Sequence, residues 1–269
     1  MYNAYYGFRE APFNITPDTR LFYFSHTHRE AFDHLLFGIH ERKGFILLTG
    51  EVGSGKTTIC RALLDHLDPR FKTALILNPC MTVTQLLRTI VTELGLKPKR
   101  DRVQNLHLLN EFLLEQVTTG NDVVLIIDEA QDMSPELLEE VRLLSNLETS
   151  SRKLLQIILV GQPELREKLD RKDLRQLRQR ITVRYHIQPL SFAEMRSYIG
   201  HRISACRSNG EPTFNWLAMR AIYAYSGGIP RLVNAACDKL LLYGYVRGKH
   251  HFTGLHAYRS IRELEGRPT

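Results

Sequence analysis

Eight consecutive residues have the types and spacing of a loop that binds phosphate. Residues 50–57 are Gly-Glu-Val-Gly-Ser-Gly-Lys-Thr, which fits the pattern G-x-x-x-x-G-K-[ST] at every fixed position. Glycines permit positive φ and close approach, so successive N–H groups can converge on a β-phosphate at a helix N-terminus. We predict that Lys56 binds the β- and γ-phosphates and that the Thr57 hydroxyl is a Mg²⁺ ligand. The residues predicted to bind ATP are Gly50, Glu51, Val52, Gly53, Ser54, Gly55, Lys56, Thr57 and Thr58.

A pair of acidic residues follows an apolar stretch later in the chain. Residues 123–127 predict a buried strand, which leads directly into Asp128 and Glu129. In a parallel sheet, the carboxyl end of this strand lies at the same edge as the phosphate loop. We predict that Asp128 holds Mg²⁺ through water, and that Glu129 accepts a proton from, or orients, the water that attacks the γ-phosphate. The alternative is an exposed acidic turn.

A glutamine ends a second apolar stretch. Residues 154–160 predict a buried strand, and Gln162 follows it after one glycine. Its amide could hold the attacking water or sense the γ-phosphate. The alternative is a polar turn residue before Pro163.

Apolar segments that alternate with helical patterns must position these residues. Strands are predicted at 45–48, 72–78, 123–127, 154–160 and 181–187, with helices between them. Ser134 and Pro135 are a typical helix start. The predicted fold class is an α/β P-loop NTPase with a parallel sheet, occupying residues 1–190, and residues 1–25 form an aromatic N-terminal segment of this domain.

From residue 191 onward the pattern predicts helices only. Ser191 and Glu194 form a capping box that opens a helix to about residue 207, and Ser208-Asn209-Gly210 is predicted to stop it. Helices at about 214–225, 230–246 and 253–264 follow. Residues 191–269 are therefore predicted to form a C-terminal helical lid domain.

Composition is that of a soluble globular protein. The chain has 269 residues, a formal net charge of +7, 43% hydrophobic residues and four cysteines without a C-x-x-C pair. No apolar run approaches the length of a membrane-spanning helix, and the N-terminus lacks a signal peptide, so we expect a cytoplasmic protein with reduced, packed cysteines. The positive charge permits contact with nucleic acid or anionic lipid, and residues 164–186 contain eight Lys or Arg against four acids.

A polar residue after the fourth strand, an arginine before the fifth and an arginine in the lid together resemble the AAA+ ATPases. Arg180 lies where that family has an arginine finger, and residues 227–231, Gly-Gly-Ile-Pro-Arg, look like its lid motif. The resemblance implies that Arg180 acts in trans on the ATP of a neighbouring subunit and that Arg231 reaches the γ-phosphate. Arg175 and Arg178 are rival fingers. The alternative for Arg231 is a helix-start arginine in solvent.

The resemblance extends over nearly the whole chain to the ExeA/GspA ATPases of type II secretion and the related MshM protein of pilus biogenesis. It rests on the aromatic opening, with Tyr5-Tyr6-Gly7-Phe8, Ala11-Pro12-Phe13, Pro17-Asp18 and Leu21-Phe22-Tyr23, and on the segments at 128–131, 160–165, 177–180 and 227–234. It implies a Mg²⁺-dependent ATPase that forms a homo-oligomer, such as a ring, and drives assembly of a secretin or a type IV-like pilus with an envelope partner. The aromatic opening is expected to pack against the core or to cap the adenine pocket.

Members of that group continue into a membrane helix and a periplasmic region. We therefore expect either a soluble, MshM-like member or an ATPase fragment. The alternative function is a DNA-associated ATP switch resembling the transposition regulators TniB and TnsC, because residues 128–131 and the basic segment also suit that class. A monomeric small-molecule kinase is disfavoured by the acidic pair and by the finger and lid arginines.

Overall fold

The computed structural model describes residues 2–14, 19–149, 152–206 and 212–267. Within these, the chain forms two compact units. The sheet unit comprises His28–Gly50 and Ile59–Ile187, and the helical unit comprises Met1–Thr27, Glu51–Thr58 and Gln188–Thr269. The predicted helix stop at Ser208-Asn209-Gly210 and the Pro17-Asp18 pair lie outside the described residues.

Five parallel strands form the sheet unit's centre, in the order β2-β3-β4-β1-β5. The strands are β1 (Phe45–Gly50), β2 (Phe71–Ile76), β3 (Asp122–Ile127), β4 (Leu155–Gly161) and β5 (Ile181–Ile187). Strands β1, β3 and β4 are buried along almost their whole length, as expected for parallel strands covered on both faces. Because all five strands are parallel, their carboxyl ends meet at one edge. β3 and β4 are neighbours, and Ile127, the last residue of β3, lies opposite Leu159, two residues before the end of β4.

Helices lie between the strands and after residue 191, as the sequence predicted, but the single basic helical segment expected between β4 and β5 is two helices, and the helices before β1 were not predicted. The helices are α1 (Tyr2–Tyr6), α2 (His26–His40), α3 (Lys56–His66), α4 (Val83–Glu93), α5 (Arg102–Thr118), α6 (Pro135–Leu144), α7 (Pro163–Leu169), α8 (Arg175–Arg180), α9 (Phe192–Ala205), α10 (Trp216–Ser226), α11 (Pro230–Val246) and α12 (Gly254–Leu264). The Ser134 hydroxyl accepts a hydrogen bond from the backbone N–H of Leu137, and Pro135 occupies the first turn of α6, as the sequence predicted. Helix α2 was not predicted, although Ala31, Leu35 and Ile39 bury one face of it.

The helical unit contains α9 to α12 and two short strands. The strands, β6 (Thr213–Phe214) and β7 (His251–Phe252), pair in parallel. The expectation of helices only after residue 191 was therefore wrong. Two residues are too few to show the period-2 alternation by which a strand is identified in sequence. The capping box at Ser191 and Glu194 is confirmed, since each side chain bonds the other's backbone N–H.

The aromatic opening packs into the core of the helical unit. Tyr6, Phe8 and Phe13 are buried there. The Tyr6 hydroxyl lies 3.1 Å from the carbonyl oxygen of Leu241 and 3.0 Å from that of Lys249. This confirms the expectation that the aromatic segment is a packing element.

Arg202 on α9 ties down the same segment. Its side chain is 6% exposed. Its guanidinium donates to the carbonyl oxygen of Pro12 (Nε–O 2.6 Å) and to that of Asn14 (Nη2–O 3.0 Å). A charged donor that bridges two carbonyl groups holds the segment to the helix more firmly than neutral contacts do.

We expect Arg202→Met to lower the free energy of unfolding by about 3 kcal/mol, because the carbonyl groups of the buried Pro12 and of Asn14 lose a charged donor. Arg196→Met is the matched control: Arg196 lies on the same helix, is exposed, and should change stability by less than about 0.5 kcal/mol. Urea denaturation of both variants checks this. Equal stability losses would show that Arg202 does not anchor the segment.

The cysteines are free thiols. Cys60, Cys206 and Cys237 are buried, as packed residues should be, and Cys80 is exposed. Within the part of the chain that the structure describes, none of the helices combines the length and the apolar character that a membrane crossing requires.

Candidate active site

The phosphate loop is part of the helical unit and continues along the chain from the carboxyl end of β1. Gly53 and Gly55 have φ values of 78° and 98°, the left-handed region that glycine adopts readily. Lys56 begins α3, is 6% exposed, and donates from its ammonium group to the carbonyl oxygen of Glu51 (3.0 Å). The backbone N–H of Ser54 donates to the same carbonyl group (3.1 Å). The loop is thus compact and ends in a helix N-terminus, as the sequence predicted.

Arg231 lies directly against this loop. Its backbone N–H donates to the carbonyl oxygen of Gly53 (3.2 Å). A Cβ atom on Gly53 would lie only 2.3 Å from the Cβ of Arg231, so glycine is required for this approach. The structure therefore brings the predicted lid arginine to the phosphate loop. The Arg231 side chain is exposed, and its contact with a γ-phosphate stays a prediction.

Two glycines before Arg231 set the turn between α10 and α11. Gly227 caps α10 with φ 56°, and nothing lies within 4 Å of where its Cβ would be. Gly228 has φ 83°, and a Cβ there would lie 2.0 Å from the carbonyl oxygen of Leu190. The Leu190 backbone N–H also donates to the carbonyl oxygen of Gly228 (3.0 Å). Glycine is therefore required at position 228, both because φ is positive and because a Cβ atom would clash with Leu190.

We expect Gly228→Ala to destabilise the protein by about 2–3 kcal/mol, because left-handed strain adds to a backbone clash. Gly227→Ala is the matched control and should cost about 1 kcal/mol, since only the strain applies. Chemical denaturation of the two variants measures the difference. If both alanines cost the same, the contact with Leu190 has no part in setting the turn.

The acidic pair lies at the carboxyl edge of the sheet. Asp128 is 2% exposed, and its Oδ1 accepts the backbone N–H of Glu129 (2.9 Å). The alternative interpretation, that Asp128 belongs to an exposed acidic turn, is therefore wrong. Glu129 has φ 53°, one of two non-glycine residues with positive φ among those described, the other being Arg42. Such a conformation is strained and is concentrated at functional sites.

Gln162 and Glu129 meet at this edge. The Gln162 side-chain amide donates to Glu129 Oε2 (3.2 Å). Gln162 lies between β4 and α7 without capping α7 by its side chain, so it is more than the polar turn residue that the sequence left open. Its contact with water or a γ-phosphate stays a prediction.

The sequence did not predict a role for Gln131. Its amide nitrogen donates to Glu129 Oε2 (2.7 Å), and its Oε1 accepts the backbone N–H of Gln162 (3.1 Å). Lys168, one of the cations in residues 164–186, donates to the carbonyl oxygens of Gln131 and Met133 (2.5 and 2.6 Å). The sequence signal for Gln131 was its place two residues after Glu129, within the segment 128–131.

The three candidate finger arginines are held differently. Arg180 donates from Nη1 to the Ser145 hydroxyl (2.6 Å), and Arg178 pairs with Asp170 at 3.0 Å. Arg175 is exposed. A hydrogen bond from Arg142 lowers the pKa of Glu139 on α6, and the positive charge of Arg180 adds to this effect. All three stay candidates for a trans-acting finger.

Each unit by itself offers donors of the types that suit a magnesium nucleotide. The loop offers backbone N–H groups, an ammonium group and the Thr57 hydroxyl, and the sheet edge offers the buried Asp128 carboxylate. P-loop NTPases hold Mg²⁺ with a loop Ser or Thr and an acidic residue at a strand end. Hard oxygen ligands of this kind suit Mg²⁺.

The chain is similar in sequence and in fold to known proteins. Residues 39–169 match the AAA domain family. The chain is 43% identical to general secretion pathway protein A of Aeromonas hydrophila over 252 residues, which are 93% of this chain and 46% of that protein. The chain thus spans less than half the length of this curated relative.

Two solved structures have a similar fold. The Aeropyrum pernix ORC2 protein in its ADP form aligns over 93% of this chain and 73% of its own, with a TM-score of 0.66 and 15% identity. The Aeropyrum pernix ORC1 protein in complex with DNA aligns over 96% of this chain and 70% of its own, with a TM-score of 0.68 and 16% identity. At these identities the likeness shows the fold alone. The chain therefore has the fold of AAA-type P-loop proteins, carries an AAA domain at residues 39–169, and is similar in sequence to general secretion pathway protein A.

Proposed function

We propose that this protein binds ATP with Mg²⁺ and hydrolyses it. The observation that carries the proposal is the Glu129 carboxylate, held at the carboxyl edge of the sheet by the amides of Gln131 and Gln162. A carboxylate fixed in this way can accept the proton of an attacking water. The compact phosphate loop, with Lys56 at the start of α3, supports the binding step.

Each site residue has one role in this proposal. Lys56 and the loop N–H groups bind the phosphates, and Thr57 with Asp128 holds the metal ion, which neutralises charge on the β- and γ-phosphates when bound. Glu129 is the base, Gln162 orients the water, and Arg231 binds the γ-phosphate. The Aeropyrum pernix ORC2 protein, which has a similar fold, has been solved as ADPNP-ADP complexes and in an ADP form, and this supports a nucleotide as the ligand.

The test is hydrolysis by the purified protein with and without Mg²⁺. We expect release of phosphate from ATP that stops on chelation, with a specific activity that rises with protein concentration as subunits assemble. Nucleotide binding by calorimetry separates the two steps. If the protein binds ATP but does not hydrolyse it at any protein concentration tested, it is an ATP switch and not an ATPase. If it neither binds nor hydrolyses ATP, the proposal is refuted.

We further propose that the active form is a homo-oligomer, such as a ring, in which Arg180 of one subunit acts on the nucleotide of the next. AAA+ sites formed in this way need a head-to-tail interface, which closes into a ring when the rotation permits. The expected domains are residues 1–190, which bind the nucleotide, and residues 191–269, which form the lid. We propose that the protein acts in the cytoplasm, including at the inner membrane through a partner.

We base the proposed cellular role of ATP hydrolysis on the similarity to general secretion pathway protein A. Identity of 43% to general secretion pathway protein A favours a role in assembling a bacterial envelope machine, a type II secretin or an MSHA-like pilus, with an envelope partner. Deletion of the gene, with complementation by wild-type protein and by Glu129→Gln, tests this. Normal secretion and piliation in the deletion strain would exclude it.

A DNA-associated ATP switch is the second candidate. It is favoured by the exposed cations in residues 164–186, which are Arg166, Arg171, Lys172, Arg175 and Arg184. Weighing against it, Arg171 pairs with Asp173 at 3.0 Å, and Arg184 donates to the Arg178 carbonyl oxygen at 2.7 Å. Binding to duplex DNA that weakens steeply with salt would support this candidate. Absence of binding at low salt would exclude it.

A further inference from the structure

The Glu129 carboxylate is held through one of its two oxygens. The amide nitrogens of Gln131 and Gln162 both donate to Oε2, at 2.7 and 3.2 Å. The shorter bond comes from Gln131. Two donors on one oxygen fix the rotation of the carboxylate.

We propose that Gln131 is a positioning residue that directs Glu129 Oε1 toward the attacking water. This inference rests on the proposed ATPase activity. Gln131 acts through Glu129 and does not itself contact the reacting atoms. Oε2 serves as the fixed point, and Oε1 receives the proton of the water as its oxygen attacks the γ-phosphate.

Gln131 can do this because its amide spans two strand ends. Its nitrogen reaches the turn after β3, and its Oε1 accepts the backbone N–H of Gln162 after β4 (3.1 Å). A Cβ atom on Gly161 would lie 2.8 Å from this Oε1, so the glycine leaves the room that the amide occupies. The same amide therefore sets the position of Gln162 relative to Glu129.

The backbone that carries Gln131 is itself fixed. Residues Ala130–Asp132 form a 3₁₀ turn, in which the N–H of Asp132 donates to the carbonyl oxygen of Glu129 (2.9 Å). The Lys168 ammonium group holds the carbonyl oxygens of Gln131 and Met133. The left-handed conformation of Glu129 is strained, and these contacts hold the turn against that strain. When a base is already held in position before the substrate binds, little free energy is spent on reorganising the site during the reaction.

Gln131→Met keeps the length of the side chain and removes both amide bonds. We expect kcat for ATP hydrolysis to fall about 10- to 100-fold, while KM and the Kd for nucleotide stay within about threefold, because the phosphate loop is unchanged. Asp132→Asn is the matched control, since Asp132 is exposed on the same turn, and its kcat should equal that of the wild type.

A double variant separates positioning from a structural effect. If Gln131 acts through Glu129, adding Gln131→Met to Glu129→Gln lowers the residual rate no further. A further loss equal to that of the single Gln131→Met variant would overturn the proposal. So would a Gln131→Met enzyme that hydrolyses ATP at the wild-type rate.

Hydrogen exchange in the nucleotide-free protein gives a readout independent of activity. The Gln162 backbone N–H should exchange about tenfold faster in Gln131→Met, because it loses its acceptor, and unchanged exchange would contradict the bridge. If the wild-type protein does not hydrolyse ATP, the proposed function is refuted. The exchange rate of the Gln162 N–H still shows, independently, whether Gln131 holds the turn after β3 to the end of β4. Should Gln131→Met fail to fold, Gln131→Asn, one methylene shorter and unable to span both bonds, replaces it.

Discussion

Replacing Glu129 by glutamine should lower the rate of ATP hydrolysis by about 10²–10⁴-fold, the contribution of a well-placed general base. Glutamine has the shape of glutamate, and its Oε1 can accept the hydrogen bonds that Gln131 and Gln162 donate to the carboxylate. The sheet edge therefore keeps its arrangement and loses the group that accepts the proton. Nucleotide affinity should change by less than about threefold, because the loop at 50–58 is intact.

Single-turnover hydrolysis and calorimetric ATP binding measure the two quantities. Lys56→Ala is the informative comparison, since it removes a phosphate ligand and should weaken binding and hydrolysis together. Thermal unfolding shows that both variants are folded. If Glu129→Gln loses ATP binding as well as hydrolysis, Glu129 is needed for the shape of the site and its role as base is refuted.

Replacing Arg180 by alanine should reduce hydrolysis about 10³-fold, the lower end of what an arginine finger contributes. In the structure Arg180 lies against the end of α6, bonded to the Ser145 hydroxyl, so alanine removes one hydrogen bond within its own subunit. Arg175→Ala and Arg178→Ala are the matched controls on the same helix. A finger is identified when one of the three variants loses hydrolysis while its nucleotide affinity is retained.

Mixing variants shows whether the arginine acts in trans. Arg180→Ala protein keeps Glu129, and Glu129→Gln protein keeps Arg180. In a mixed assembly with head-to-tail interfaces, about one interface in four then has both groups intact. Recovery of activity on mixing two inactive proteins is the expected result. If no mixture recovers activity although the subunits co-assemble, Arg180 acts within its own subunit or has a structural role.

The elements of the sheet were predictable because each has a strong local signal. Residues 181–187 were predicted as a strand with the bounds that the structure shows, and α6 begins at the proline that follows its capping serine. Helix α2 was missed although its apolar stripe has helical spacing. The strands β6 and β7 could not be found, because each has two residues and its partner is distant in sequence.

The site was only partly predictable, for a different reason. Lys56, Asp128 and Glu129 follow from short motifs whose chemistry depends on neighbouring residues. The contact of Gln131 with Gln162 depends on β3 and β4 being neighbours, and strand order is a long-range property that no local pattern gives. The bond from Lys168 to the turn after Glu129 likewise joins residues that are distant in sequence. Amide and ammonium groups within a polar segment give no sign of whether they bind solvent or protein.

The hydrogen bond from the Arg231 N–H to the Gly53 carbonyl oxygen connects the start of α11 to the phosphate loop. This helix has 17 residues and is about 25 Å long at ~1.5 Å per residue. Its first turn lies against the phosphate loop, and farther along it Asp238 accepts the hydroxyl of Tyr2 and Leu241 lies at the hydroxyl of Tyr6. We expect a shift of Gly53 when phosphate binds or leaves to move α11 as a rigid helix, and so to reach the aromatic N-terminal segment. That segment is therefore the place where we expect the helical unit to report which nucleotide it holds.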